Sequence, residues 1–111
     1  VTLKELADEL ELVVLVGGDG LDREVTGGYC GDLLSDVMAN AAPGQVWITI
    51  QGHLNVVAVG TLRELAGVIL AADRQPADEM RVKADTEGLP VLCGRMSAFE
   101  LAGRLHRLLE G

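Results

Sequence analysis

Apolar residues at Leu3, Leu6, Ala7 and Leu10 recur at the spacing of one helix face, behind a Thr2-Leu3-Lys4-Glu5 string that has capping-box spacing. This predicts a helix over 3–10. Leu12 to Val16 is a continuous apolar run closed by Gly17-Gly18-Asp19-Gly20, which predicts a short buried strand and a turn. Leu21 to Gly31 is strand-like but interrupted by Gly27, Gly28 and Gly31, so part of it is expected to turn tightly or to lie close to another backbone. Asp32 is placed to cap a helix to about Ala41, with Leu33, Leu34, Val37 and Met38 apolar and Pro43-Gly44 ending it.

The second half repeats the alternation. Val46–Ile50 and Asn55–Val59 read as two central strands separated by Gln51-Gly52-His53, and Thr61-Leu62-Arg63-Glu64 reads as a capping box opening a helix to about Ala72. A helix over 78–87 is expected to stop at Gly88, with Pro90 beyond it, before a short Val91-Leu92-Cys93 strand. Ser97-Ala98-Phe99-Glu100 gives a third capping box, and Leu101, Leu105, Leu108 and Leu109 the buried face of a final helix. No linker or low-complexity stretch divides the chain. The fold class predicted is α/β: one layered domain over 1–111, its mostly parallel or mixed central sheet flanked by helices, with any antiparallel strand coming from the early Gly-rich region.

Composition narrows the partners. A hydrophobic fraction of 49% in 111 residues suffices for one core, and an aromatic fraction of 3% makes that core aliphatic. The formal net charge of −8 disfavours nucleic acid and anionic membrane surfaces, which require clustered Lys and Arg. No run reaches the ~18 apolar residues of a membrane span. Cys30 and Cys93 lie far apart, outside any Cys-x-x-Cys spacing, which points to reduced, small buried thiols in the cytoplasm, a single long-range bridge being the alternative.

The densest group of unusual residues is Asp22-Arg23-Glu24-Val25-Thr26-Gly27-Gly28, followed by Tyr29-Cys30-Gly31-Asp32-Leu33-Leu34-Ser35-Asp36. This stretch resembles the DRTGG domain family, and Gln45-Val46-Trp47-Ile48-Thr49-Ile50-Gln51 and His53-Leu54-Asn55 also look like that family's segments. The resemblance covers essentially the whole chain. It implies a regulatory-type domain, similar to the N-terminal domain of HPr kinase/phosphorylase and to domains attached to phosphotransacetylases and to pyrophosphatases with nucleotide-sensing domains. It implies no general ligand. Nothing in the chain matches Gly-x-x-x-x-Gly-Lys-Ser/Thr, so kinase activity is not carried over.

Candidate ligand-binding residues follow from the residues themselves. Gly27 and Gly28 permit positive φ and exposed amides, so with Arg23 and Thr26 they are candidates to cradle a phosphate, a carboxylate or a nucleotide. The competing reading pairs Arg23 with Asp22, Asp32 or Asp36, uses Thr26 in a turn, and gives the glycines to backbone approach. His53 and Asn55, at the turn after a central strand, are candidates for a polar ligand; a neutral His satisfying a buried group is the alternative. Trp47 is expected in the core, with a pocket or subunit contact as the alternative. His106 is expected to be solvated.

No nucleophile with a base, no paired carboxylates and no metal-ligand spacing is recognisable, so neither catalytic residues, metal nor cofactor is expected. The expected function is a noncatalytic ligand-sensing domain with a signalling or metabolic enzyme as partner. The alternative is a structural interaction domain acting through a homodimer built on the Gly-rich segment and its adjacent strand.

Overall fold

A computed structural model describes all 111 residues. Helix α1 spans Leu3–Glu9 and is capped as its sequence predicts: the Glu5 amide donates to Thr2 Oγ1 and the Thr2 amide to Glu5 Oε1. Strand β1 (Val13–Val16) follows. A 3-10 turn at Gly18–Gly20 leads on to β2 (Gly27–Cys30), α2 (Leu34–Asn40), β3 (Gln45–Thr49) and α3 (Leu54–Leu62). β4 (Gly67–Leu70), α4 (Asp78–Glu87), β5 (Val91–Cys93) and α5 (Ala98–Glu110) complete the chain.

The five strands form one mixed sheet in the order β1-β5-β4-β3-β2. β2, β3, β4 and β5 are parallel neighbours, and each step crosses over through one helix in the same direction. Crossovers of one hand place α2, α3 and α4 on the same face. There Val37, Val56, Val57, Met80 and Ala84 pack with Trp47, Val68 and Val91 of the sheet. α1 and α5 cover the other face, burying Leu3, Leu6, Leu10, Leu101 and Leu105 against Val46, Ile48, Ile69 and Leu92. The architecture is therefore α/β with helices on both sides of a mixed sheet.

Several expectations are corrected. The antiparallel strand is β1, paired with β5, whereas the Gly-rich β2 runs parallel to β3. β1 is an edge strand, only partly buried, because it has a neighbour on one side alone. Asn55–Val59 is helix, not strand, and Leu65–Leu70 holds a strand where a helix is expected. Parallel neighbours require a crossover of a dozen or more residues, and a strand starting at Asn55 would leave only a hairpin-length link after β3. Burial of Val56, Val57 and Val59 then outweighs the small helix penalty of β-branched residues. The Thr61–Glu64 string is no cap: Thr61 lies in the last turn of α3, and Glu64 takes a left-handed φ of 55° beyond it. The helix over 78–87 and its stop at Gly88 with φ of 71° match expectation; of the expected third capping box only half forms, Ser97 accepting from the Glu100 amide while the Glu100 carboxylate holds Arg104 instead.

Candidate functional site

Parallel strands send their carboxyl ends, and the amino ends of the helices that follow, to one side of the molecule, where open α/β sheets place their binding residues. On that side Asp32 is not a helix cap; α2 begins at Leu34 without a side-chain cap. Its Oδ1 instead accepts from Thr49 Oγ1 at 2.7 Å and the Ile50 amide at 3.0 Å, which ties the end of β3 to the loop after β2. Thr49 is buried, and its hydroxyl also accepts from the Gln51 amide at 3.2 Å. Gln51 donates from Nε2 to the Asp32 carbonyl at 3.2 Å and meets His53 Nε2 through Oε1. Each link fixes the next, so a buried Thr orients a surface Gln and His.

The following loop joins the network. The Ala77 amide donates to the Gly52 carbonyl at 2.9 Å, and a Cβ on Gly52 would lie 2.8 Å from the Gln75 carbonyl oxygen, so only glycine permits this approach. Gln75 in turn accepts from Arg81 at 3.2 Å and donates toward Cys93 Sγ at 3.7 Å. The result is an open cleft of about 400 Å³ bordered by Leu34, Gln51, His53, Leu54, Asn55 and Glu79. His53 is the N-cap of α3 but makes no side-chain cap, so its imidazole does not occupy the first-turn amides. His53 and Asn55 are both exposed on this rim. The imidazole is not a buried group satisfying the core.

The other four candidates lie at the opposite end of the sheet. Gly27 pairs with Gln45 at the start of β3, and four residues of strand at ~3.3 Å each put them about 13 Å from Thr49. Gly27 and Gly28 are extended strand residues, and the left-handed glycines of the chain are Gly17, Gly44, Gly88 and Gly111. A positive-φ glycine cradle is therefore not what these two form. Gly28 instead admits α5: a Cβ there would stand 2.7 Å from Leu105 Cδ2. Arg23 pairs with no carboxylate. Its Nη2 donates to the Gly88 carbonyl at 2.8 Å and its Nη1 to the Ala66 carbonyl at 3.5 Å, placing positive charge on the carboxyl end of α4, whose last turn has no basic residue. Thr26 donates to the Pro43 carbonyl at 3.2 Å. The 330 Å³ hollow beside Arg23 is rimmed by Glu24, Glu64 and Glu87.

Five further residues fall into place. Trp47 is fully buried and donates from Nε1 to the Gly31 carbonyl at 2.8 Å. Cys93 is buried as expected, but Cys30 is exposed: it ends the edge strand and borders an open hollow with Ile48 and Leu105, with no further strand to cover it. Burial of its surroundings, followed by the charge of Asp32, pushes the Cys30 thiol above its ordinary pKa, the reverse of an activated nucleophile. Tyr29 bonds Asp36, which raises its phenol. His106 is exposed and stands 3.3 Å from Glu110. Sequence reasoning missed Gln51 and Glu79 as parts of the rim; the only advance signal for Gln51 was its position just beyond an apolar run.

No family model matches this chain, and no curated protein matches it. Among solved structures, the chain is similar to the CBS and DRTGG domains of the regulatory region of Clostridium perfringens pyrophosphatase, a structure complexed with the activator diadenosine tetraphosphate. The TM-score is 0.69 at 14% identity, over 94% of this chain and 45% of that one. The chain thus spans about half the length of its neighbour. At this identity the likeness is one of fold, and the fold is DRTGG-like.

Proposed function

We propose that this chain is a noncatalytic regulatory domain that senses a small anionic metabolite, a nucleotide being the favoured class, and passes its occupancy to a metabolic or signalling enzyme in the cytoplasm. The observation that carries the reading is the cleft at the carboxyl end of β3, where His53, Asn55 and Gln51 surround the start of α3. Helix amino ends favour negative charge, and α3 has no acidic residue in its first turn to compete with a ligand phosphate. Glu79, on the α4 side of the same cleft, would repel a second phosphate but accept from a ribose hydroxyl or a base amine. A ligand carrying both kinds of group matches this division.

The nucleotide activator in the similar regulatory region supports the ligand class and the regulatory role. Two free cysteines support a reducing compartment. In this reading His53 and Asn55 belong to the ligand site, while Arg23, Thr26, Gly27 and Gly28 serve as scaffold at the other end.

An amide-resolved NMR titration against adenine and guanine nucleotides, acyl phosphates, phosphate and pyrophosphate tests the proposal. Saturable shifts centred on Gln51–Val56 and Ala77–Glu79, abolished by His53→Ala with Asn55→Ala, are the expected result. Shifts centred on Arg23–Gly31 would move the site to the amino end of the sheet. No saturable shift with any member of the panel would overturn the sensor reading.

A further inference from the structure

The carboxyl-end cleft draws its lining from three helices, and each part constrains the ligand that fits. Leu34 of α2 and Leu54 of α3 border it, and Ala77 adds a third apolar group before α4. Leu54 is one of the few large apolar side chains left exposed, and two others, Leu33 and Ile50, follow β2 and β3 at the same end of the sheet. Apolar walls of this kind suit a flat ring better than a chain of phosphates. No Lys or Arg borders the cleft. Its anion-favouring element is the start of α3, a nine-residue helix whose Leu54 and Asn55 amides donate to no group of the protein. One phosphate matches that partial charge. A second or third would lie nearer Glu79 with no cation to offset it.

Glu79 is the group that reads the other end of the ligand. Both cations of α4 are turned away from it: Arg81 donates to Gln75 at 3.2 Å, and Lys83, one turn on, pairs with Glu87 at 3.4 Å. The Glu79 carboxylate thus borders the cleft without an ion pair. A carboxylate accepts and does not donate, so it matches two N–H groups side by side. Guanine carries such a pair, on N1 and the 2-amino group. Adenine, cytosine and uracil set an acceptor beside each donor, and that acceptor would meet the carboxylate with no proton between them. The spacing also fits, because α3 and α4 pack together and packed helices stand roughly 8–10 Å apart, comparable to the span from a nucleotide's 5′-phosphate to the far edge of its base.

We infer that the ligand of this cleft is a guanine mononucleotide, which rests on the sensor reading and narrows it. The phosphate takes the free amides at the start of α3 together with the Asn55 carboxamide. The ring lies against Leu34 and Leu54, and Glu79 accepts from N1–H and the 2-amino group. One carboxylate therefore selects the base and disfavours the di- and triphosphate.

Isothermal titration of the whole chain with GMP, IMP, AMP, GDP and GTP tests this assignment. GMP is expected to bind roughly tenfold or more tighter than IMP, which lacks only the 2-amino group, and tighter than AMP, GDP and GTP. Glu79→Gln should weaken GMP by roughly tenfold and strengthen AMP, because a carboxamide offers the acceptor and donor that adenine complements. Its unfolding temperature should stay close to the parent's, since Glu79 is exposed, and the ligand series needs no variant at all. Equal binding of GMP and IMP, tightest binding by AMP or GTP, or a Glu79→Gln chain that keeps the GMP preference overturns the guanine assignment and leaves a nucleotide sensor standing. Absence of binding by all five overturns the assignment and, where the wider NMR panel is equally silent, the sensor reading with it.

Discussion

The two ends of the sheet carry similar numbers of conspicuous residues and use them in opposite ways. At the amino end, two side chains of the Asp22–Gly28 string turn onto backbone carbonyls: Arg23 onto Gly88 and Ala66, Thr26 onto Pro43. Arg63 does the same from α3, holding the Ala41 carbonyl at 2.7 and 3.1 Å. These arginines meet the carboxyl ends of α4 and α2, where the last turns contain no basic side chain of their own. At the carboxyl end the polar side chains hold one another, from Thr49 through Asp32 and Gln51 to His53, and leave their outer rim open. A motif that stands out in sequence can thus commit its side chains to backbone carbonyls, while an inconspicuous Gln-Gly-His turn borders the cleft.

Substitutions sharpen this contrast, beginning with the backbone. Gly17→Ala should be the most destabilising at the amino end, because φ is 78° and the new Cβ would lie 2.7 Å from Pro90 Cα. Strain and overlap with immovable backbone together predict a loss of about 2–4 kcal/mol in urea denaturation. Arg23→Met should follow at about 1–2 kcal/mol, the range for losing a charge-assisted bond to a carbonyl at a partly solvated site. Its ligand-induced NMR shifts should match the parent's, and a selective loss of ligand binding would return Arg23 to the site.

At the carboxyl end the order reverses. His53→Ala and Asn55→Ala are exposed and should change stability by no more than about 0.5 kcal/mol, while nucleotide binding falls by roughly tenfold. Equal binding by parent and variant would remove the distinction between the two ends. The smallest effect concerns α1. Hydrogen bonds to Thr2, backbone first and hydroxyl second, lower the Glu5 pKa below its ordinary 4.5. That capping interaction stabilises the fold above the unfolded-state pKa and is lost as pH falls through the lower folded value. Acid denaturation of Glu5→Gln should therefore show a shallower pH dependence in that window than the parent.

Legibility varied for physical reasons. α1, α4 and α5 could be read because their signals are local: Thr2 with Glu5, Gly88 with Pro90, Ser97 before a Leu-rich face. The segment from Leu54 to Leu70 could not, because Asn-Val-Val-Ala-Val and Leu-Ala-Gly-Val-Ile-Leu are both short buried apolar runs whose periodicity does not separate strand from helix. Of the candidate site, His53 and Asn55 were legible from their place after a strand, but Ala77 and Glu79 reach the same rim from another crossover. The glycine string was legible as unusual, not as a strand against which Leu105 packs.

The sequence by itself determined the α/β class, the aliphatic core, the caps of the outer helices and the acidic balance that disfavours nucleic acid. Each of these is a property of composition or of residues within a turn or two of one another. Only the tertiary structure decided which apolar runs became α3 and β4, because that choice follows from the crossover that parallel strands require. It alone also separated Arg23 from His53 by the length of the sheet. Distance between residues far apart in the chain is set by strand direction and register, which no local pattern encodes.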